Sequence, residues 1–434
     1  MRERVAITGI GVVSPIGIGR AEYTDGLRAG RSGTAHITAF DCDGFDTRIA
    51  AEVDDRRFDA GAWVEPRKMV KHMSRSAAFA VAAAAMARRD AGLGSEDVDP
   101  YRIAVSLGAG GMGPVDLDLL SGQATAAIRS ARGQASDELD VPAFAREFRA
   151  RTNPISMLRG LPNLAAAHLA IQQGARGPNN TITTACSAGT QAIGEGMRAI
   201  QRGDADVVFA GGTDAMINPV GVLGFSMLGT LSRRNDDPAR ASRPFDCDRD
   251  GFVIGEGAAV VVLERESVAA ARGARVLAEL AGYGCTCDAW RITDERPDAE
   301  AAVHAMRRCL DDAGASTSDV DYINAHGTGT RMNDLTESRA VHALFGPGSA
   351  VPPMSSTKSM IGHLLAAAGA AEAAATVFAM DAGFLPPTIN VDSPDPECDI
   401  DCVPNVARVA RVDAALSNSF GFGGQNACLL IRRW

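Results

Sequence analysis

No stretch of the 434 residues approaches the ~20 uninterrupted apolar positions that a membrane span needs, the alanine-rich run Phe79–Met86 being too short. A secretory leader is also missing: Arg2, Glu3 and Arg4 run straight into the strand-like Val5–Ile7, with no long apolar segment behind them. These two absences predict a soluble, cytoplasmic protein. A basic excess is lacking too. The formal net charge is −10, which argues against a nucleic-acid binder because a broad phosphate-neutralising surface needs a basic excess, although local basic patches can exist. Paired cysteine spacings are absent: Cys42, Cys186, Cys247, Cys285, Cys287, Cys309, Cys398, Cys402 and Cys428 are scattered and odd in number, which suits reduced thiols. There is no CxxC or HxxxH spacing for zinc and no G-x-S-x-G elbow for a serine hydrolase. A dinucleotide fingerprint fails as well, because Gly9-Ile10-Gly11 is followed by Ser14 where glycine or alanine is required, and then by Pro15.

What is present reads as globular α/β. The chain is 46% hydrophobic and 22% charged, with many short Ala/Val/Leu runs separated by glycine. A strand over Arg4–Thr8 opens it, a helix spans Ser74–Asp90, and Arg102–Leu107 is the next strand. Residues Pro114–Leu161 mix polar helical segments, such as Val141–Arg151, with loops, and predict an excursion over the surface of the core. A βαβ unit follows: strand Thr181–Thr184, helix Ser187–Arg202 with Ile193, Met197 and Ile200 on one face, Gly203 as its cap, and strand Val207–Ala210. Gly251–Gly257 followed by the apolar Ala258–Leu263 echoes Gly421–Asn426 followed by Ala427–Ile431. That echo predicts two similar halves, 1–265 and 266–434.

Three side chains stand out chemically. Cys186, in Thr183-Thr184-Ala185-Cys186-Ser187-Ala188-Gly189, sits between a strand and an amphipathic helix, where the helix dipole and free amides favour a thiolate and a lowered pKa. His326 and His363 stand beside glycines at the ends of elements, in Asn324-Ala325-His326-Gly327-Thr328-Gly329-Thr330 and Lys358-Ser359-Met360-Ile361-Gly362-His363. His36, His72, His168, His304 and His342 lack such settings and read as solvated or packing residues.

The segments Arg4–Gly17, Thr184–Gly189, Ser242–Gly257, Asn324–Thr330, Ser355–Gly369 and Asn418–Asn426 resemble, in order and over nearly the whole chain, the elongating β-ketoacyl carrier-protein synthases of type II fatty-acid and polyketide pathways. The resemblance implies a thiolase fold, two similar halves in a five-layered α-β-α-β-α core. It implies an acyltransferase that joins an enzyme-bound acyl thioester to malonyl carrier protein by decarboxylative Claisen condensation. Cys186 matches the acyl-accepting cysteine, His326 and His363 the two histidines of decarboxylation, Lys358 the supporting lysine, Glu372 the buried carboxylate, and Phe422 the gating residue of the glycine-rich loop. No metal or redox cofactor is implied. The partners implied are an acyl carrier protein, received by Arg67, Lys68 and Lys71 and by Arg233 and Arg234, and a second subunit, identical or of chain-length-factor type. Gln425 departs from the usual threonine or histidine of that loop, and the Asn153–Asn163 run resembles specialised synthases, which points to a type II polyketide role. The alternatives are a housekeeping fatty-acid synthase, a non-catalytic chain-length-factor-like subunit, and a thiolase or starter synthase using coenzyme A thioesters.

Overall fold

The computed structural model describes residues 3–110, 141–151 and 155–434. Of the predicted excursion Pro114–Leu161, residues 114–140 and 152–154 lie outside them; its expected helix does form, over Val141–Arg151, and a short helical turn follows at Ser156–Arg159.

The frame is one mixed sheet in which two halves repeat a single strand order. The first half contributes β1 (Val5–Ser14), β2 (Ile103–Ala109), β3 (Asn179–Ile182), β4 (Val207–Asp214) and β5 (Gly257–Arg265). The second contributes β6 (Ala278–Cys287), β7 (Tyr322–Asn324), β8 (Met354–Ser355), β9 (Ala414–Gly421) and β10 (Gln425–Arg432). Across the sheet the order is β8-β7-β9-β10-β6-β1-β5-β4-β2-β3, so each half runs third, second, fourth, fifth, first from its outer edge. The senses repeat too. In both halves the first three strands from the edge are parallel and the last two pairings antiparallel. Among the described residues the pairs Ala6↔Glu279 and Ile7↔Ala278 join the two half-sheets strand to strand. The echoing glycine-rich segments thus precede β5 and β10, which hold the same position in the two halves.

Helices complete five layers. Helices α1 (Arg75–Asp90) and α2 (Asn163–Gln173) cover the outer face of the first half, and α4 (Glu300–Ala313) and α5 (Arg331–Phe345) that of the second. Between the half-sheets lie α3 (Ala188–Arg202), one face of which is apolar and which Gly203 closes in the left-handed conformation, and α6 (Ala368–Ala382). Every residue of α6 from Ala368 to Met380 is buried. This explains a signal that inspection of Phe79–Met86 overlooks: Leu365–Ala382 has the length and mean hydropathy of a membrane span, but 89% of that window is buried inside the fold.

Glycine sets how closely the layers approach. A Cβ on Gly9 would stand 2.2 Å from the Ala87 carbonyl oxygen, and one on Gly11 2.0 Å from that of Ala83, so the glycine pair of β1 seats the alanine face of α1 rather than a cofactor. Gly212 of β4 plays the same part toward the central layer, where an added Cβ would lie 2.5 Å from the Ala366 oxygen and 3.1 Å from the Gly189 Cα. A Gly212→Ala variant is therefore expected to lose about 1–3 kcal/mol by overpacking. In a thermal melt of a chain this long its midpoint falls by about 1 °C per kcal/mol, while Gly224→Ala, whose methyl meets nothing within 4 Å, melts no lower than the parent.

Candidate active site

Cys186 stands where β3 turns into α3. Ala185 takes a left-handed φ of 47°, which reverses the chain sharply, and Ala185–Ser187 form a short 3-10 turn leading into the helix. The Ser187 hydroxyl donates to the Thr184 carbonyl at 2.8 Å and ties the turn down. The thiol is buried, and here the structure corrects the helix-dipole expectation of a lowered pKa. Burial pushes the Cys186 thiol up to about 12; the Lys358 charge and the Phe422 backbone N–H, which bonds the sulfur, pull it down without overcoming desolvation.

Both predicted histidines reach the same cavity, each from the chain that follows one of the neighbouring strands β7 and β8. His363 follows Gly362, whose φ is 69°, and its backbone is held by the glycine-rich segment before β5: its N–H donates to Val253 O at 2.7 Å and its carbonyl accepts from Gly255 N at 2.9 Å. Its Nε2 lies 3.0 Å from Cys186 Sγ, and its Nδ1 accepts the Leu365 N–H at 3.2 Å. His326 follows β7, its ring 5.5 Å from that of His363 and nearly perpendicular to it. Lys358 donates from Nζ to His326 Nδ1 at 3.2 Å and to the His326 carbonyl at 2.5 Å, and forms a buried ion pair with Glu372 of α6.

Protonation follows from these contacts. Burial and the Lys358 charge hold both imidazoles well below the ordinary histidine pKa, so both rings are neutral at pH 7. In each ring Nδ1 is an acceptor, from the Leu365 amide in one case and the Lys358 ammonium in the other. Each ring hydrogen therefore sits on Nε2.

Glu337 is a participant that the sequence reading missed. Its two oxygens accept the N–H groups of His326 at 2.9 Å and Gly327 at 2.8 Å, and Asn418 Nδ2 donates to it at 3.2 Å. Burial pushes its carboxyl up to about 7. On α5, three residues after Asp334, it looks in sequence like half of a solvated acidic pair.

The cavity encloses about 150 Å³, with Cys186, His326 and His363 at its base. Phe252 and Phe420 pack against the imidazoles, and Phe422, half-buried, lines the wall from the turn between β9 and β10, where Gly423 and Gly424 adopt left-handed conformations. Thr230 also lines it, a few residues ahead of Arg233 and Arg234. Those two arginines already face acids: Arg233 pairs with Asp46, and Arg234 approaches Asp250 and donates to the Asp248 carbonyl. Arg67, Lys68 and Lys71 are exposed on the 3-10 helix Arg67–His72, Arg67 pairing with Asp59.

Ligand atoms of Cys186, His326 and His363 lie within 4.8 Å of one another, close enough for a metal. The hydrogen bonds argue against one. A metal-bound histidine usually donates its second N–H, whereas both rings here accept at Nδ1, so metallation at Nε2 would demand an imidazolate beside a lysine ammonium.

A strand order repeated in two halves, with a buried thiol and two neutral imidazoles brought together where they meet, is the thiolase architecture fitted for acyl transfer. Residues 2–269 match the N-terminal domain of β-ketoacyl synthases and residues 277–392 the C-terminal domain, and the chain belongs to that family. It is 43% identical to the 3-oxoacyl-acyl-carrier-protein synthase 2 of Synechocystis sp., over 100% of this chain and 99% of that protein. It is 42% identical to the tetracenomycin polyketide synthase ketoacyl synthase alpha subunit of Streptomyces glaucescens, over 99% of this chain and 97% of that one. Among solved structures, the ishigamide ketosynthase/chain length factor aligns with a TM-score of 0.88 at 37% identity, covering 100% of both chains.

Because burial raises the Cys186 pKa to about 12, the reactive thiolate remains a small fraction at neutral pH. Alkylation of Cys186 by iodoacetamide, followed by peptide mass spectrometry, is expected to climb about tenfold per pH unit from 7 to 10 without levelling. A plateau below pH 9 would show that the amide and lysine outweigh burial.

Proposed function

We propose that Cys186 accepts the acyl group, that His326 and His363 drive decarboxylation as paired hydrogen-bond donors, and that Lys358, Glu372 and Phe422 support them. The chain is a carrier-protein-dependent condensing acyltransferase. In the first half-reaction Sγ attacks the acyl thioester, the new S–C bond forms as the carrier's C–S bond breaks, and the thiol proton leaves with the carrier sulfur. In the second, malonyl thioester loses carbon dioxide, and the electron pair left on carbon is delocalised as an enolate. Two Nε2–H groups aimed at its oxygen stabilise that charge at the moment it develops. The enolate carbon then attacks the acyl carbonyl on Cys186, the amides of Cys186 and Phe422 hold the tetrahedral oxyanion, and as the C–S bond breaks the departing sulfur takes up a proton from solvent, restoring the thiol.

The observation that carries this reading is the pairing of two neutral rings with Nδ1 occupied, one of them 3.0 Å from the sulfur. Imidazolium rings would form salt bridges with the malonyl carboxylate and hold back its loss; neutral donors favour the enolate. A chain-length-factor-like subunit is disfavoured because the full set of nucleophile, histidines and lysine is present.

A type II polyketide pathway is supported by Gln425 in the glycine-rich turn and by the likeness to ketosynthases solved with a chain length factor. A type II carrier protein has been solved in complex with its own ketosynthase, a structure that this chain matches with a TM-score of 0.82 at 32% identity. The partner subunit is either a second copy or a chain-length-factor-like protein, and all nine cysteines are free, which suits the cytoplasm.

With acyl and malonyl carrier proteins, mass spectrometry is expected to find the acyl adduct on Cys186. Cys186→Ala abolishes the adduct but still releases carbon dioxide from malonyl carrier protein, whereas His326→Ala and His363→Ala slow that release by about 10²–10³-fold. An adduct on another residue, or undiminished release without both histidines, overturns the assignment. Reversing charge at Lys68 and Arg234 together is expected to raise the KM for carrier protein about tenfold at low salt, with kcat within twofold. Equal KM values would remove those residues from docking.

A further inference from the structure

Leu365 carries an unusual conformation for a buried, bulky residue. Its φ is 50°, in the left-handed region that branched side chains avoid, and its strained amide is the donor that occupies His363 Nδ1. If that turn relaxed, the amide would swing away and Nδ1 would be free to carry the ring hydrogen. Something must hold it. On two sides the neighbours are bare backbone: Cβ atoms added at Gly189 and Gly212 would stand 2.9 Å and 2.5 Å from the Ala366 oxygen. Below the turn is Asp214, the last residue of β4, buried and outside the set that sequence singled out. Its Oδ2 accepts the Ala366 N–H at 3.1 Å and its Oδ1 the Ala215 N–H at 2.9 Å. One carboxylate therefore bridges the end of β4 to the residue after Leu365.

We propose that Asp214 is a positioning residue of the decarboxylation step, bonding the Ala366 amide so that the strained Leu365 N–H stays on His363 Nδ1 and the ring hydrogen stays on Nε2, facing the substrate. This rests on the reading of His363 as a neutral donor. A carboxylate suits the task because both oxygens accept, so both backbone donors are met at once. Holding it has a cost: burial pushes its carboxyl up to about 7, and its charge raises the Cys186 thiol pKa. An asparagine there would meet one amide with its oxygen and turn its own NH₂ toward the other.

The test uses the full-length protein labelled with ¹⁵N-histidine, comparing the parent with Asp214→Asn and Asp214→Glu. In the parent, the two His363 nitrogens are expected to show the shifts of a pure Nε2–H tautomer. In Asp214→Asn they move toward the average of the two tautomers while those of His326 stay in place. Release of carbon dioxide from malonyl carrier protein slows about tenfold in kcat at unchanged KM. Asp214→Glu, which keeps two acceptor oxygens, restores the parent tautomer. Should Asp214→Asn not fold, Asp214→Ser, smaller and without the reach to Ala366, takes the same measurements. An unshifted His363 tautomer with kcat within twofold overturns the proposal. His363→Ala is the separate control: if it keeps parental carbon dioxide release, the donor reading of His363 falls, whatever Asp214 does.

Discussion

The site depends on keeping two buried imidazoles uncharged while fixing which nitrogen holds the hydrogen. Desolvation alone would give neutrality but not orientation, since a neutral ring can carry its hydrogen on either side. Orientation comes from a second set of contacts behind the rings: an ammonium at His326 Nδ1 and a backbone amide at His363 Nδ1. The lysine serves twice, because its charge also opposes protonation of both histidines. A lone buried ammonium would itself be costly, and Glu372, planted on the central helix, neutralises it.

The fold supplies that arrangement through its duplication. The thiol comes from the head of α3 in the first half, and the rings come from the ends of elements in the second. These meet because α3 and α6 lie together in the middle layer, where Thr190 and Ser419 hydroxyls also bond across the halves at 2.7 Å. The segment before β5 ties the halves again by hydrogen bonding the backbone of His363 on both sides. Its resemblance to the turn before β10 is thus one of place in the fold; the first clamps a histidine and the second presents an amide to the sulfur.

Much of this was legible in the sequence because it is carried by local signals. The capped helix Ser74–Asp90, the βαβ run to Val207 and the glycine-flanked cysteine and histidines all announce themselves within a few residues, and the structure brings Cys186, His326 and His363 into one cavity. What escaped is what depends on distant partners. Glu337 and Asp214 look like ordinary acids until their backbone donors, from other elements, are seen. The Cys186 pKa was misjudged for the same reason: a helix N-terminus is visible in sequence, whereas the depth of burial that overrides it is not. Gly9 and Gly11 fail the dinucleotide pattern in sequence, but their purpose shows only once α1 is found pressed against them.

Interleaving the central helices also governs how the chain comes to exist. A ribosome releases β1 through β5 and α3 well before α6 is made, so until then the flank of α3 and of β5 that α6 covers has no partner. Sealing that surface requires some hundred further residues, and a severed first half has nothing of its own to cover it. Such a protein is built to be finished in one piece, and its two halves, though alike in plan, cannot be traded as independent modules.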